Sequence, residues 1–295
     1  MSLVVRRGKE TGTLNTPENA RAVLETARSG DRDRYLAGLF APSPARDALM
    51  ALTAFNVELA RIADIVSEPM LGEIRLQWWR DALETLDSGG VTGNPVADAV
   101  GAAMRAHALP KPLLLGLIDA RSFDVSGETM PDMPALKAYL RKTSGTLFAL
   151  SARIVAGAPL SPDDAAREAG LAYGLTGLLR ALPMHAAAGR LYLPAAQLRD
   201  RGVDPAQVLA GKADDSLSAA LADLRAEARG ALARAQAALA AQSNTPLPAF
   251  LPLTLVPAYL QALERRSHTQ LSELSDISQL QRLSRLTWAA LRGRV

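Results

Sequence analysis

Apolar residues recur at spacings of three and four along almost the whole chain, and alternation with a period of two is scarce. That spacing is typical of amphipathic α-helices, whereas a half-buried β-strand alternates at every second residue. Prolines and glycines divide the pattern into segments, because both residues interrupt helices. The sequence therefore predicts helices over residues 16–27, 33–40, 44–67, 71–86, 95–107, 112–123, 134–156, 162–182, 215–241, 248–266 and 277–291.

The order of these segments indicates the architecture. Long helices with short connections and no strands are typical of a large orthogonal helical bundle, and such bundles hold ligands between facing helices. No Gly/Ser-rich linker or break in composition divides the 295 residues. We therefore predict an all-α protein in which residues 15–295 form a single domain and residues 1–14 form a flexible N-terminus.

Composition excludes several function classes. The chain has no cysteine, which excludes disulfides, thiolate zinc sites and cysteine nucleophiles and fits a reducing cytoplasm. The net charge is only +3, with arginines scattered along the chain, so the basic stripe of a nucleic-acid-binding protein is missing. No nucleic-acid partner is expected.

No run of about 18 apolar residues is present, so no membrane span is expected. The nearest approach is the stretch 247–260, which is interrupted by Pro248, Pro252 and Pro257. We interpret it as a buried, proline-kinked helix. The alternative is an apolar lip in peripheral contact with a membrane.

Two predicted helices carry unusual chemistry. In residues 54–68, Glu58, Arg61, Asp64 and Glu68 repeat at spacings of three and four, which predicts one charged stripe. Residues 169–185 are apolar nearly all round, a pattern typical of a central helix, and contain a single charge, Arg180. A buried arginine needs an anionic or carbonyl partner.

Three blocks resemble squalene/phytoene synthases and occur in that family's order: Asp33–Glu84, Tyr139–Gly157 and Gly170–Pro194, which ends in GRLYLP. The resemblance implies an isoprenoid-synthase-type bundle with a central cavity. It also implies two aspartate motifs, each with carboxylates four residues apart, that hold Mg²⁺ against prenyl diphosphates. Metal ions in such sites neutralise the departing diphosphate.

This sequence departs from both motifs of the family it resembles. Aligned on Trp78–Arg80, the first motif falls on Ala60–Asp64, where only Asp64 is acidic. The second falls on Ala181–His185, where no residue is acidic. One of four motif carboxylates remains, so no metal and no other cofactor is expected.

The residues AFN-x-ELARI-x-D-x-VSE, GEIRLQWW and LRALPMH resemble a subgroup of this family, the complex I assembly factors with a squalene/phytoene synthase-like domain. The resemblance implies a role in respiratory-complex assembly. We therefore predict a non-catalytic protein, cytoplasmic or peripheral to the inner membrane, whose cavity binds an isoprenoid-like lipid or an assembly partner. The alternative is an active Mg²⁺-dependent head-to-head prenyltransferase that uses prenyl diphosphates. A scaffold with a filled cavity is the third hypothesis.

Three interpretations of the charged stripe stay open. It forms a salt-bridge ladder, or Arg61 supplies positive charge for an anionic headgroup, or Asp64 and Glu68 keep a residual metal site. The prenyltransferase alternative needs Glu58 as well, to rebuild a metal site in a shifted register.

The second helix and the segment after it supply the other predicted cavity residues: Tyr173, Arg180, His185, Arg190 and Tyr192. We expect the two arginines to pair with the acidic stripe across the cavity, with phosphate contacts as the alternative. The tyrosines line an isoprenoid tunnel or belong to the core. His185 is interpreted as a satisfied polar residue rather than a catalytic one.

Overall fold

The computed structural model describes residues 16–158, 163–265, 271–272 and 274–295, and these ranges contain helices and no β-strand. The predicted flexible N-terminus, residues 1–14, lies outside them. The first nine helices are α1 Pro17–Gly30, α2 Arg32–Gly38, α3 Ser43–Ile65, α4 Pro69–Asp87, α5 Pro95–His107, α6 Lys111–Ala120, α7 Ser122–Ser126, α8 Met133–Leu140 and α9 Thr146–Ala156. The remaining helices are α10 Asp164–Arg180, α11 Leu182–Ala187, α12 Ala195–Asp200, α13 Pro205–Leu209, α14 Asp215–Ala240, α15 Leu247–Phe250, α16 Val256–Arg265 and α17 Gln279–Arg292.

Three predicted helices are interrupted in the structure, and one of them, 112–123, is divided between α6 and α7 at Arg121. A π-helical turn, Arg141–Gly145, separates α8 from α9, and a 3₁₀ segment, Leu251–Leu255, separates α15 from α16. Prolines at positions 252 and 257 explain the interruption by the 3₁₀ segment, because each removes a backbone donor and disfavours the preceding helical turn.

The stretch 247–260 lies in the core. Phe250, Leu251, Leu255 and Leu260 are fully buried. The interpretation as a buried, proline-kinked element is confirmed, and the alternative of a membrane-contacting lip is wrong, because these side chains pack inside the protein. None of the described helices is both long and apolar enough to cross a membrane.

Two large hydrophobic clusters form the core. One surrounds α10 and α14, and the other surrounds α3, α4 and α5. Helix α9 joins them, since Phe148 and Ala152 belong to the first cluster and Leu147 and Leu150 to the second. The candidate site lies between α3 and the end of α10.

Helix α10 packs against α9, α14, α16 and the π turn, in agreement with the central position predicted from its apolar sequence. The closest approach is at Gly170. A Cβ atom there would lie 2.3 Å from the Cα atom of Gly145 in the π turn. The two backbones therefore approach each other at a distance that only glycine permits.

A buried carboxylate, Asp33 on α2, ties four helices together. The Tyr259 hydroxyl of α16 donates to Asp33 Oδ2 at 2.7 Å, and Nε of Arg282 on α17 donates to Oδ1 at 2.7 Å. The Tyr173 hydroxyl of α10 donates to Oδ2 at 3.1 Å. The carboxylate is thus satisfied by three donors that are far apart in sequence.

Arg180 belongs to this same cluster, so its predicted pairing with the acidic stripe of α3 is wrong. Its Nη2 donates to Asp276 Oδ1 at 3.0 Å, and its Nη1 lies 3.9 Å from Asp33 Oδ2. The guanidinium lies 3.6 Å from the ring centroid of Tyr259. The side chain leaves α10 on the side of α16 and α17, away from α3.

We expect Gly170→Ala to lower the free energy of unfolding by at least about 2 kcal/mol, because the added methyl group meets backbone atoms that cannot move independently. Gly177→Ala is the matched control on the same helix, since no heavy atom lies within 4 Å of a Cβ there. It should stabilise the protein by about 0.5–1 kcal/mol. Urea unfolding measures both, and equal effects would contradict the close approach of α10 to the π turn.

We expect Arg282→Met to destabilise the protein by about 3–5 kcal/mol, because it removes the cation that is hydrogen-bonded to the buried Asp33 carboxylate. Arg285→Met, on the same helix, is the control, and it should change the free energy of unfolding by less than about 1 kcal/mol since Arg285 is only half-buried. Chemical denaturation of the two variants tests the prediction. A small effect of Arg282→Met would show that the ion pair is dispensable.

Candidate functional site

A cavity of ≈ 260 Å³ lies between α3 and the chain that follows α10. Helix α3 lines one wall with Asn56, Ala60 and Asp64, and the opposite wall includes His185 and Tyr192. The two regions onto which the aspartate motifs were aligned therefore face one cavity. The other lining residues are Gly30, Asp31, Val57, Arg61, Arg121, Asp124, Tyr139, Leu178, Met184 and Arg190.

The predicted four-residue stripe does not form, because Glu68 is not on α3. The helix ends at Ile65, and Glu68 is the extended residue before Pro69, which begins α4. A proline disfavours the helical conformation in the residue before it. Glu68 and Asp64 are therefore not one helical turn apart, and Glu68 does not line the cavity.

Glu58 and Arg61 form only a loose contact. Arg61 Nη1 lies 3.9 Å from Glu58 Oε1, and the Arg61 side chain is 58% exposed. Exposed pairs at such a distance contribute little to stability. Within the described ranges, Arg61 is thus a cation at the cavity wall with no closer carboxylate partner, and Glu58 is not part of the lining.

Asp64 pairs with Arg190 across the cavity, as the sequence predicted for this arginine. The Arg190 Nε–H is buried and has no hydrogen-bond acceptor among the described residues. In the described part of the chain, no group of three or more His, Asp or Glu side chains is placed to hold a metal ion. With Asp64 held by an arginine and Glu68 on another element, these residues do not fit the magnesium cluster that the family resemblance implies.

A second ion pair lies at the inner end of the cavity. Arg121 Nη1 donates to Asp124 Oδ2 at 2.9 Å, and the Tyr139 hydroxyl donates to Asp124 Oδ1 at 2.7 Å. Arg121 Nη2 donates to the side-chain oxygen of Asn56 at 2.8 Å, while its buried Nε–H has no acceptor in the described part of the chain. Burial raises the pKa of Tyr139 well above its usual value, so its hydroxyl stays a donor.

Sequence reasoning missed this inner network. Arg121 and Asp124 stand three residues apart around α7, which was a local signal for an ion pair. Nothing in the sequence placed them against Asn56, which lies 65 positions away. The network thus depends on the packing of α7 against α3.

The third cavity carboxylate, Asp31, also forms an ion pair with an arginine. Its Oδ2 accepts from Arg34 Nη1 at 2.8 Å, and the Arg34 guanidinium lies 4.6 Å from the ring centroid of Tyr173. Tyr173 is therefore part of the packing around Arg34 and Asp33 and does not line the cavity. Each of the three cavity carboxylates is paired with an arginine.

His185 and Tyr192 form an aromatic pair on the wall opposite α3, with ring centroids 4.6 Å apart. Burial, together with the nearby Arg190 cation, lowers the pKa of His185 to about 4. Burial and the Asp124 carboxylate raise the pKa of Tyr192. Both side chains are therefore neutral near pH 7.

The lowered pKa of His185 predicts acid sensitivity. Between pH 6.5 and 4 the unfolded chain binds a proton at this residue that the folded protein does not, so stability falls as the pH falls. From pH 7 to pH 5 we expect His185 to account for a loss of about 2 kcal/mol in the free energy of unfolding. The loss should be absent in His185→Gln. Urea titrations at both pH values measure the difference, and equal pH dependence in the variant and the unmodified chain would contradict it.

The chain resembles known proteins over most of its length. The family model for squalene/phytoene synthase matches residues 27–292. NADH dehydrogenase (ubiquinone) complex I, assembly factor 6 of Mus musculus is 31% identical over 242 residues, which cover 82% of this chain and 73% of that protein. The presqualene diphosphate synthase of Rhodopseudomonas palustris is 30% identical over 193 residues, which cover 64% of this chain and 68% of that protein.

Solved structures agree on the fold. A dehydrosqualene synthase in complex with ligand superposes with a TM-score of 0.76 at 17% identity and covers 94% of this chain and 97% of its own. The squalene synthase HpnC from Alicyclobacillus acidocaldarius superposes with a TM-score of 0.72 at 20% identity, covering 86% of this chain and 97% of its own. The predicted isoprenoid-synthase helical fold is confirmed, and the chain belongs to the squalene/phytoene synthase family.

Proposed function

We propose that this protein does not catalyse prenyl transfer and instead binds an isoprenoid-like lipid, through an anionic headgroup, as part of respiratory complex I assembly. The observation that carries the proposal is that all three cavity carboxylates, Asp31, Asp64 and Asp124, are paired with arginines. The similarity to complex I assembly factor 6 of several animals supports the assembly role.

The electrostatics of the cavity argue against metal-assisted ionisation of a diphosphate. That reaction depends on divalent cations held by several free carboxylates, which also orient the leaving group. A carboxylate that already pairs with an arginine would have to exchange that partner for the metal. The pairs of Asp64 with Arg190 and of Asp124 with Arg121 therefore oppose a magnesium cluster at this place.

One cation at the cavity wall stays available to an anion. Among the described residues, Arg61 has no carboxylate closer than 3.9 Å, and its side chain is 58% exposed. An anionic oxygen that enters the cavity would pair with this guanidinium. The volume of ≈ 260 Å³ is below the roughly 300–1,000 Å³ of drug-sized ligand pockets, which suits a headgroup rather than a whole isoprenoid chain.

Binding of farnesyl diphosphate to the purified chain, measured by calorimetry, tests the ligand. We expect Arg61→Gln to weaken binding about two- to fivefold, as loss of one partly exposed ionic contact does. Arg75→Gln is the matched control, because Arg75 is an exposed arginine of the neighbouring helix α4 outside the cavity lining. Equal affinity in both variants, or no binding, would contradict a headgroup site at Arg61.

Release of diphosphate in the presence of Mg²⁺ or Mn²⁺ tests the catalytic alternative in the same preparation. We expect none from farnesyl or geranylgeranyl diphosphate. Release that disappears in Asp64→Asn would establish the prenyltransferase alternative and overturn the proposal, since it would show that the Arg190 pair opens for a metal.

A further inference from the structure

The last helix, α17, has two faces of different character. Its inner face packs Leu286 and Ala289 against α2 and the 3₁₀ segment and inserts Arg282 into the Asp33 cluster. This inner face anchors the helix firmly to the protein. The outer face therefore needs a separate explanation, because it is also apolar.

Four large apolar side chains project from the outer face. Leu280 and Leu291 are each 78% exposed, Trp288 is 57% exposed and Leu283 is 46% exposed. At 100° per residue, Leu280, Leu291 and Trp288 fall on the side of the helix opposite Leu286, whereas Leu283 lies at its flank. Leu280 and Leu291 are eleven residues apart, or roughly 16 Å along the axis. The result is an apolar ridge that runs the length of α17.

Cations flank this ridge, and carboxylates are absent from the same stretch of sequence. Arg285, Arg292 and Arg294 lie beside or just after the apolar residues, and positions 279–295 contain no Asp or Glu. The Arg292 guanidinium lies 4.3 Å from the ring centroid of Trp288. Within the described residues, none of the three arginines forms an ion pair.

We propose that the outer face of α17 docks onto an anionic lipid bilayer. An amphipathic helix with Leu and Trp on one face and arginines at its flanks lies in the plane of the membrane interface, with its apolar side chains among the acyl chains and its cations near lipid phosphates. Trp288 and its neighbour Arg292 suit that boundary, since an indole is apolar over most of its surface and polar at its N–H.

Charge distinguishes this surface from another exposed apolar surface, on α4. On α4, Met70, Ile74 and Trp78 are exposed, but Glu73 and Asp81 are on the same helix. That mixture of charges does not favour binding of α4 to an anionic membrane. An apolar ridge with arginines beside it and no carboxylate side chain in the same stretch is complementary to a negatively charged and deformable surface.

Co-sedimentation of the full-length chain with vesicles tests the proposal. We expect binding to vesicles of phosphatidylcholine with phosphatidylglycerol, and little binding to phosphatidylcholine alone. Arg285→Gln/Arg292→Gln should weaken binding about tenfold or more, because each cation near the surface contributes to attraction. Leu280→Ser/Leu291→Ser should weaken it by a similar factor, since it removes the side chains that insert.

The control is Arg141→Gln/Lys142→Gln, which removes two exposed cations from the π turn and should leave binding within about twofold. Circular dichroism checks that each variant is folded, as expected for positions outside the buried core. Quenching of tryptophan fluorescence by brominated lipid should be lost in Trp288→Phe. The proposal is overturned if the unmodified chain does not bind the anionic vesicles, which is the result expected for a face that docks on a protein. Equal binding by the α17 variants and the π-turn variant also overturns it. The cavity ligand enters none of these measurements.

Discussion

The burial of Asp33 is the constraint on which the arrangement of the central helices depends. A carboxylate inside a protein is tolerated only when cations and hydroxyl donors surround it, and here those donors come from α10, α16 and α17. The shared partner fixes these three helices relative to α2. Because α10 is held at this end, the chain that leaves it is directed toward α3 and forms the opposite wall of the cavity.

The carboxylates of the cavity are also neutralised by cations of the protein, and this affects what the cavity can bind. Asp64 and Asp124 are paired with Arg190 and Arg121, which are side chains of the protein itself. A fixed cation neutralises a carboxylate without a metal ion. The fold of the family is thus kept, and the function that we propose follows from ion pairs that engage the cavity carboxylates.

Sequence patterns predicted the helices well where local signals define both ends. Pro95–His107 has the predicted bounds, and Asp215–Ala240 differs by one residue. The predicted helix 44–67 extended two residues beyond the end of α3 at Ile65, and Glu68 lies outside the helix in the extended conformation that Pro69 favours.

Tertiary placement was predicted only in part. The central position of α10 followed from its apolar composition, and the pairing of Arg190 with Asp64 followed from the expected cavity. The partners of Arg180 and Asp33 could not be predicted, since Arg282 lies 249 positions from Asp33 and local periodicity carries no information at that distance.

Helix α17 connects the buried Asp33 cluster to the protein surface. Its Arg282 is needed inside, where it neutralises Asp33, and this requirement fixes the rotation of the helix about its own axis. Once that rotation is fixed, Leu280 and Leu291 must point to solvent, because they lie on the opposite side. A helix anchored in this way presents its outer residues without further loss of conformational freedom on binding, which lowers the entropic cost of docking. The buried ion pair thus orients the surface that we assign to the membrane.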